Sequence, residues 1–245
     1  MLYYIILFII AFAPAAIYAI WIRNTEKYER EPWGAIATAF LWGASIAIIA
    51  SLILEIILDI SIASSIKDYN IQSFILAVII APFAEELTKP MALSLRKVRR
   101  EINELEDGII YGVAAGLGFS ATENLLYSIN FLSYGLVVFI ILVSIRTIGG
   151  CLLHASATAF TGYGYGKALL YGEGIAKVFP YFIAAMAVHS FYNFVLSFEM
   201  IGGLVGVAIA LIFAITCIKF VRRKIMELDL KGKNHSDKIL APPFL

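Results

Sequence analysis

The feature that most constrains this chain is a series of apolar stretches, each about 20 residues long, that recur along its length. A helix of that length crosses roughly 30 Å of hydrocarbon. Hydrophobic residues make up 61% of the 245 residues and charged residues only 15%, whereas a soluble domain has about half and about a quarter. The sequence therefore predicts an all-α, polytopic transmembrane helix bundle and excludes an ordinary soluble domain.

Hydropathy predicts six clear spans and one apolar segment that is harder to assign. The six spans lie near 2–22, 34–58, 71–93, 108–128, 175–198 and 200–220. Segment 134–171 is long for one crossing and just long enough for two, and Gly149 and Gly150 mark a candidate break within it. We expect one transmembrane domain over 1–220, followed by a basic, polar tail over 221–245.

The distribution of Lys and Arg favours a single crossing by segment 134–171. Cytoplasmic loops collect these residues; RNTEKYEREPW carries three, SLRKVRREINELED four and the tail seven. One crossing puts these basic segments on one side of the membrane, whereas two crossings put the tail opposite the others. We therefore favour seven spans with the N-terminus outside and the C-terminus cytoplasmic, and eight spans remain the alternative.

Several polar residues lie inside the predicted spans. A charge at the centre of a span costs about 2.5–3.5 kcal/mol on insertion scales, and one Leu or Ile returns only about 0.5 kcal/mol. Their spacing is helical, because Lys89 follows Glu85 by four residues and Glu86 by three. Residues this costly in lipid typically mark a functional site. The candidates are Glu85, Glu86, Lys89, Glu123, His154, His189 and Asn193.

The backbone around these residues favours a polar cavity. Pro82 and Pro90 bracket the paired glutamates, and each removes a backbone donor. The carbonyl groups freed in this way need partners, which lipid does not supply. Two G-x-x-x-G spacings, Gly112 to Gly116 and Gly162 to Gly166, predict that their helices approach closely.

Four motifs follow one another in the order EELTK, FSATE, LLHASATAFTGYGYG and HSFYN. In this combination, from about Pro82 to Asn193, the chain resembles the PrsW family of intramembrane proteases. That family is similar, distantly, to the CAAX prenyl endopeptidases and Abi proteins, which differ at the positions of Lys89 and Glu123. The resemblance implies a peptide hydrolase in a prokaryotic plasma membrane. It also implies a membrane-anchored protein substrate, such as an anti-sigma-factor-like regulator.

Two mechanisms are compatible with these residues. Without a metal, Glu85 or Glu86 is the base, Lys89 orients the pair, Glu123 or His154 holds the water, and His189 and Asn193 donate to the oxyanion. With a metal, the predicted ligands of a divalent ion such as zinc are Glu123, His154 and His189, and Glu85 is the base to the metal-bound water.

Two other interpretations of the same residues remain open. The carboxylates and histidines could serve a proton- or cation-coupled transporter, or the glutamates and Lys89 could form a structural ion pair. Lipid is the other expected partner, no nucleic-acid surface is predicted, and the oligomeric state is left open.

Overall fold

The computed structural model describes residues 2–197 and 203–240, with side chains from 4 to 197 and from 203 to 232. Residues 198–202 and 241–245, which the predicted spans and tail include, lie outside the described residues. The helices are α1 (Leu2–Arg23), α2 (Trp33–Trp42), α3 (Ile48–Ala63), α4 (Tyr69–Ile75), α5 (Ala81–Thr88), α6 (Arg96–Arg99), α7 (Leu105–Phe131), α8 (Leu136–Ile145), α9 (Cys151–Leu170), α10 (Phe179–Ser197) and α11 (Leu204–Leu240).

Three π-helical turns join consecutive helices without a loop. They are Gly43–Ala47 between α2 and α3, Leu76–Ile80 between α4 and α5, and Arg146–Gly150 between α8 and α9. The described residues thereby contain seven segments long and apolar enough to cross a membrane. The segments are Tyr4–Arg23, Trp33–Ala63, Tyr69–Ser94, Leu105–Tyr134, Leu136–Leu170, Ile175–Ser197 and Leu204–Gly232.

These segments confirm the all-α polytopic bundle. Segment 134–171 forms one long span, and the break predicted at Gly149 and Gly150 is the third π turn. With seven crossings, successive connections alternate between the two ends of the bundle. The loops before α2, before α7 and after α9 therefore lie at the same end as the C-terminal part of α11. That helix runs without interruption past residue 220, where the sequence predicts the polar tail to begin.

The central helix is α7. In its most apolar stretch 78% of the residues are buried, against 39% or less in the other six segments. It packs along α9 through the glycines that the sequence singles out, because a Cβ on Gly112 would lie 2.7 Å from the Thr158 carbonyl oxygen. A Cβ on Gly116 would likewise collide with the carbonyl oxygen of His154. The close approach therefore brings His154 against α7.

The outer surface of the bundle is suited to lipid. On α3, for example, Ile49, Ile53, Ile56 and Ile60 recur every three or four residues and are more than half exposed. Such a stripe is costly in water but favourable against acyl chains. Of the seven candidate site residues, five are buried inside the bundle and two are half-buried. The buried ones are Glu85, Glu86, Lys89, His154 and His189, and the half-buried ones are Glu123 and Asn193.

Candidate active site

The paired glutamates and the lysine of EELTK lie inside the bundle, where α5 passes into a 3₁₀ turn, Lys89–Ser94. The ammonium nitrogen of Lys89 lies 2.7 Å from Glu85 Oε2 and 2.9 Å from Glu86 Oε1. Lys89 and Glu86 are fully buried, whereas Glu85 is 6% exposed. The lysine therefore neutralises part of the negative charge that the helix spacing concentrates here.

Two histidines from different helices join this group. His154 Nδ1 on α9 lies 2.9 Å from Lys89 Nζ, and His189 Nδ1 on α10 lies 3.0 Å from Glu86 Oε1. The two rings meet edge to face with centroids 4.9 Å apart. Because an ammonium group can only donate, His154 Nδ1 accepts, and the network assigns the ring proton to Nε2.

The two adjacent glutamates have different surroundings. Glu86 is surrounded by donors: Thr158 Oγ1 donates to its Oε2 at 2.9 Å, and Lys89 and His189 contact its Oε1. Glu85 lines a cavity, and its Oε1 accepts no hydrogen bond from any described side chain. Glu85 is thus the carboxylate that lines the cavity and keeps one oxygen free of hydrogen bonds from described side chains.

Glu123 lies on the far side of His154 and links it to a half-buried arginine. Its Oε2 is 2.8 Å from His154 Nε2 and 2.8 Å from a terminal nitrogen of Arg146. Arg146, in the third π turn, also donates from Nε to Asn124 Oδ1 at 3.1 Å and covers the ring of Tyr127. Glu123 therefore holds the orientation of His154.

Asn193 compensates for the missing donor of Pro82. In the second π turn the Ala81 amide donates five residues back, to Leu76 O. The next bond of this kind would come from residue 82 to Ala77 O, but proline has no N–H. Asn193 Nδ2 donates to Ala77 O at 2.8 Å instead. The sequence predicts that a freed carbonyl needs a polar partner, and this bond identifies one.

The cavity beside Glu85 has a volume of about 330 Å³. Site residues from five of the seven spans reach it, and its size allows several water molecules. The lining includes Glu55, Glu85, Glu123, Arg146, His154, His189, Tyr192 and Asn193.

The structure brings all seven predicted site residues around one centre, and it adds others that sequence reasoning misses. Thr158 lies four residues after His154, so helical spacing predicts that the two side chains share one face of α9. Glu55 lines the cavity although its position near a span end indicates a solvated side chain. No feature of the sequence near Arg146 identifies Glu123 as its partner.

The cluster has the ligand types of a zinc site. One ligand atom each from Glu85, Glu86, His154 and His189 lie within 4.8 Å of one another, and carboxylate oxygens and imidazole nitrogens both bind zinc. This set differs from the predicted Glu123, His154 and His189, because Glu123 contacts the outer nitrogen of His154. The donor set fits a divalent ion, but Lys89 Nζ contacts three of its four members. An incoming ion therefore competes with the ammonium group.

Fold and site together define a polytopic membrane protein with a carboxylate–histidine centre buried in its helix bundle. Residues 31–218 match the family described as "PrsW family intramembrane metalloprotease". The chain belongs to this family of peptide hydrolases, and the match favours hydrolysis over the transporter interpretation.

A curated relative supports the same assignment over a shorter stretch. The protein "Protease PrsW" of Clostridioides difficile (strain 630) is 31% identical over 122 residues, which are 49% of this chain and 50% of that protein. The chain therefore matches about half the length of this relative. No solved structure matches the chain.

Proposed function

We propose that this protein is an intramembrane endopeptidase that hydrolyses a peptide bond of a membrane-anchored protein. The observation that carries the proposal is the position of Glu85, whose free Oε1 belongs to a carboxylate lining a cavity inside the bundle. A general base needs hydrogen-bond reach to a water molecule, and this group has it. Glu86 lacks a comparable free position, because its oxygens are engaged by three donors.

The proposed step uses water as the nucleophile. Glu85 takes one proton from the water while the water oxygen attacks the carbonyl carbon of the peptide. The carbonyl oxygen becomes an oxyanion, to which protonated His189 can donate from Nε2 and Asn193 from its second amide hydrogen. The carbon–nitrogen bond then breaks, the proton passes from Glu85 to the leaving nitrogen, and the carboxylate is restored.

The remaining residues position this base. Lys89 holds Glu85 and Glu86 together, and Glu86 holds His189. Glu123 and Arg146 fix His154 from the other side. A divalent ion in the cluster would be held by Glu85, Glu86, His154 and His189, and it would polarise a carbonyl and lower the pKa of bound water.

Metal binding is tested by the zinc content of purified, chelator-free protein. We expect His154→Ala and His189→Ala to lose zinc, and Glu123→Gln to keep it with an affinity lowered by about 10–100-fold, because Glu123 only orients a ligand. Lys89→Met should bind zinc more tightly than the wild type, since the competing ammonium group is gone.

Elemental analysis and zinc titration check these expectations. Complete loss of zinc in Glu123→Gln together with retention in Glu86→Gln would support the ligand set Glu123, His154 and His189 instead. Absence of zinc from both the wild type and Lys89→Met would exclude zinc as the bound ion.

Substrate class and orientation extend the proposal. The family resemblance implies a membrane-anchored substrate, of which an anti-sigma-factor-like regulator is the proposed example. The resemblance also implies a prokaryotic plasma membrane, and the basic loops support an orientation with the N-terminus outside and the C-terminus cytoplasmic. The distant relation to CAAX prenyl endopeptidases and Abi proteins stays a prediction.

The function is tested by mapping protein N-termini in membranes of cells that express the wild type or Glu85→Gln. We expect the wild type to generate new N-termini within or beside the membrane span of at least one anchored protein, and Glu85→Gln to generate none of them. Identical N-termini in both cell types, with Glu85-dependent proton flux in reconstituted vesicles, would support a transporter instead.

A further inference from the structure

A second group of acidic side chains lies at the end of the bundle that carries the loop between α1 and α2. Five carboxylates meet there and each is 3% exposed or less. They come from that loop, from the first turn of α7 and from α11. The residues are Glu26, Glu31, Glu106, Asp107 and Asp229.

The cluster contains acceptors that have no donor. Glu26 Oε1 and Glu106 Oε1 are buried and have no hydrogen-bond partner, although Glu26 is 0% and Glu106 2% exposed. A buried carboxylate oxygen without a donor or cation is costly. Two of them in one cluster indicate that the cluster can bind a ligand that accepts their lone pairs, such as a cation.

No basic side chain neutralises these carboxylates. Among the described side chains, no Lys, Arg or His nitrogen lies within 4.0 Å of their oxygens. The nearby arginines bind backbone instead: Arg23 donates to the carbonyl oxygen of Glu31, and Arg30 to that of Glu26. These two arginines therefore make no ion pair with the acidic cluster.

The geometry points to a second cation site: we propose that Glu26, Glu106 and Asp229 bind a hard divalent cation, Ca²⁺ or Mg²⁺. One oxygen from each of the three lie within 4.8 Å of one another. Oxygens that share one Ca²⁺ at about 2.3–2.6 Å can be at most about 5 Å apart. An all-oxygen set without histidine or cysteine selects hard cations over zinc.

Backbone amides hold two carboxylates of the cluster in place. Asp107 Oδ2 accepts the amides of Asn103 and Glu104 at 2.7 Å each, which fixes the first turn of α7. The Asp229 carboxylate accepts the amides of Lys27 and Tyr28, so the loop already lies against α11. The carboxylates are therefore held in place before a cation arrives.

The site is separate from the catalytic cluster. Glu106 and Glu123 lie on the same helix 17 residues apart, which corresponds to about 25 Å. A cation at this site would connect the loop between α1 and α2, and helix α11, to the first turn of α7, the helix that carries Glu123. The inference does not depend on the proposed protease activity.

The test is thermal unfolding of the full-length protein in detergent, first with chelator and then with Ca²⁺, Mg²⁺, Mn²⁺ or Zn²⁺ added singly. We expect Ca²⁺ or Mg²⁺ to raise the wild-type midpoint by about 5–10 °C at saturation. Glu106→Gln and Asp229→Asn should lose this shift. Glu29→Gln, on the exposed side of the same loop, and His154→Ala, in the catalytic cluster, should keep it.

Two results would overturn the proposal. The first is a wild-type unfolding midpoint that neither Ca²⁺ nor Mg²⁺ changes, or a shift of the same size in the wild type and in Glu106→Gln. Either result would mean that the cluster binds protons only. The second concerns stability in chelator, where Glu106→Gln removes one like charge and should unfold at or above the wild-type midpoint. If Glu106→Gln does not fold in the presence of chelator, repulsion between the carboxylates does not determine the stability of the cluster.

Discussion

Replacing Glu85 by glutamine should lower the rate of substrate cleavage by about 10²–10⁴-fold, the usual contribution of a general base. Glutamine has nearly the same shape but cannot take a proton from water. The amide can still contact Lys89, so we expect the helix bundle to remain folded. Glu85 makes one close ion pair, whereas Glu86 anchors three side chains.

The measurement is the initial rate of cleavage by purified protein in vesicles, with the unfolding midpoint recorded for each variant. Asp59→Asn is the matched control, because Asp59 contacts Gln72 and does not line the cavity. It should cleave at the wild-type rate. If Glu85→Gln stays active while folded Glu86→Gln is inactive, the base is Glu86.

Replacing Lys89 by methionine should cost about 3–5 kcal/mol in the free energy of unfolding, the range found when one partner of a buried ion pair is removed. Lys89 is fully buried, and its ammonium group contacts two carboxylates and His154. Methionine fills most of the volume but leaves the two negative charges uncompensated. The loss is therefore electrostatic rather than a packing defect.

A double variant separates these two causes. Glu86→Gln combined with Lys89→Met removes one charge of each sign, so it should be more stable than Lys89→Met alone. Unfolding in mixed micelles with increasing denaturing detergent measures all four members of the cycle. A double variant whose loss equals the sum of the single losses would show that Lys89 does not act through Glu86.

Much of the fold could be predicted from the sequence because a bilayer restricts the length and composition of the segments that cross it. Span length and apolar content follow from the hydrocarbon thickness, and the basic loops favoured the one-crossing interpretation of 134–171. Helical spacing also predicted that Lys89 reaches both Glu85 and Glu86, since all three lie on one short segment. These inferences are local, and the structure agrees with them.

Contacts between different spans could not be predicted from local spacing. The sequence predicts Glu123 as a metal ligand, but whether it faces the inner or outer nitrogen of His154 depends on how α7 and α9 cross. The acidic cluster was missed for the same reason. Glu26 and Asp229 are separated by about 200 positions, and EREPW by itself resembles any short polar loop.

The three π turns make the site depend on chain length as well as on residue identity. Each turn holds one residue more than an α-helix would, and one residue corresponds to about 100° of rotation about the helix axis. Deleting a single apolar residue from Leu76–Ile80 would change no polar side chain, yet it would swing Glu85 and Glu86 from the histidines towards lipid. Insertions and deletions, rather than substitutions alone, are therefore a route by which a chain of this kind gains or loses its chemistry.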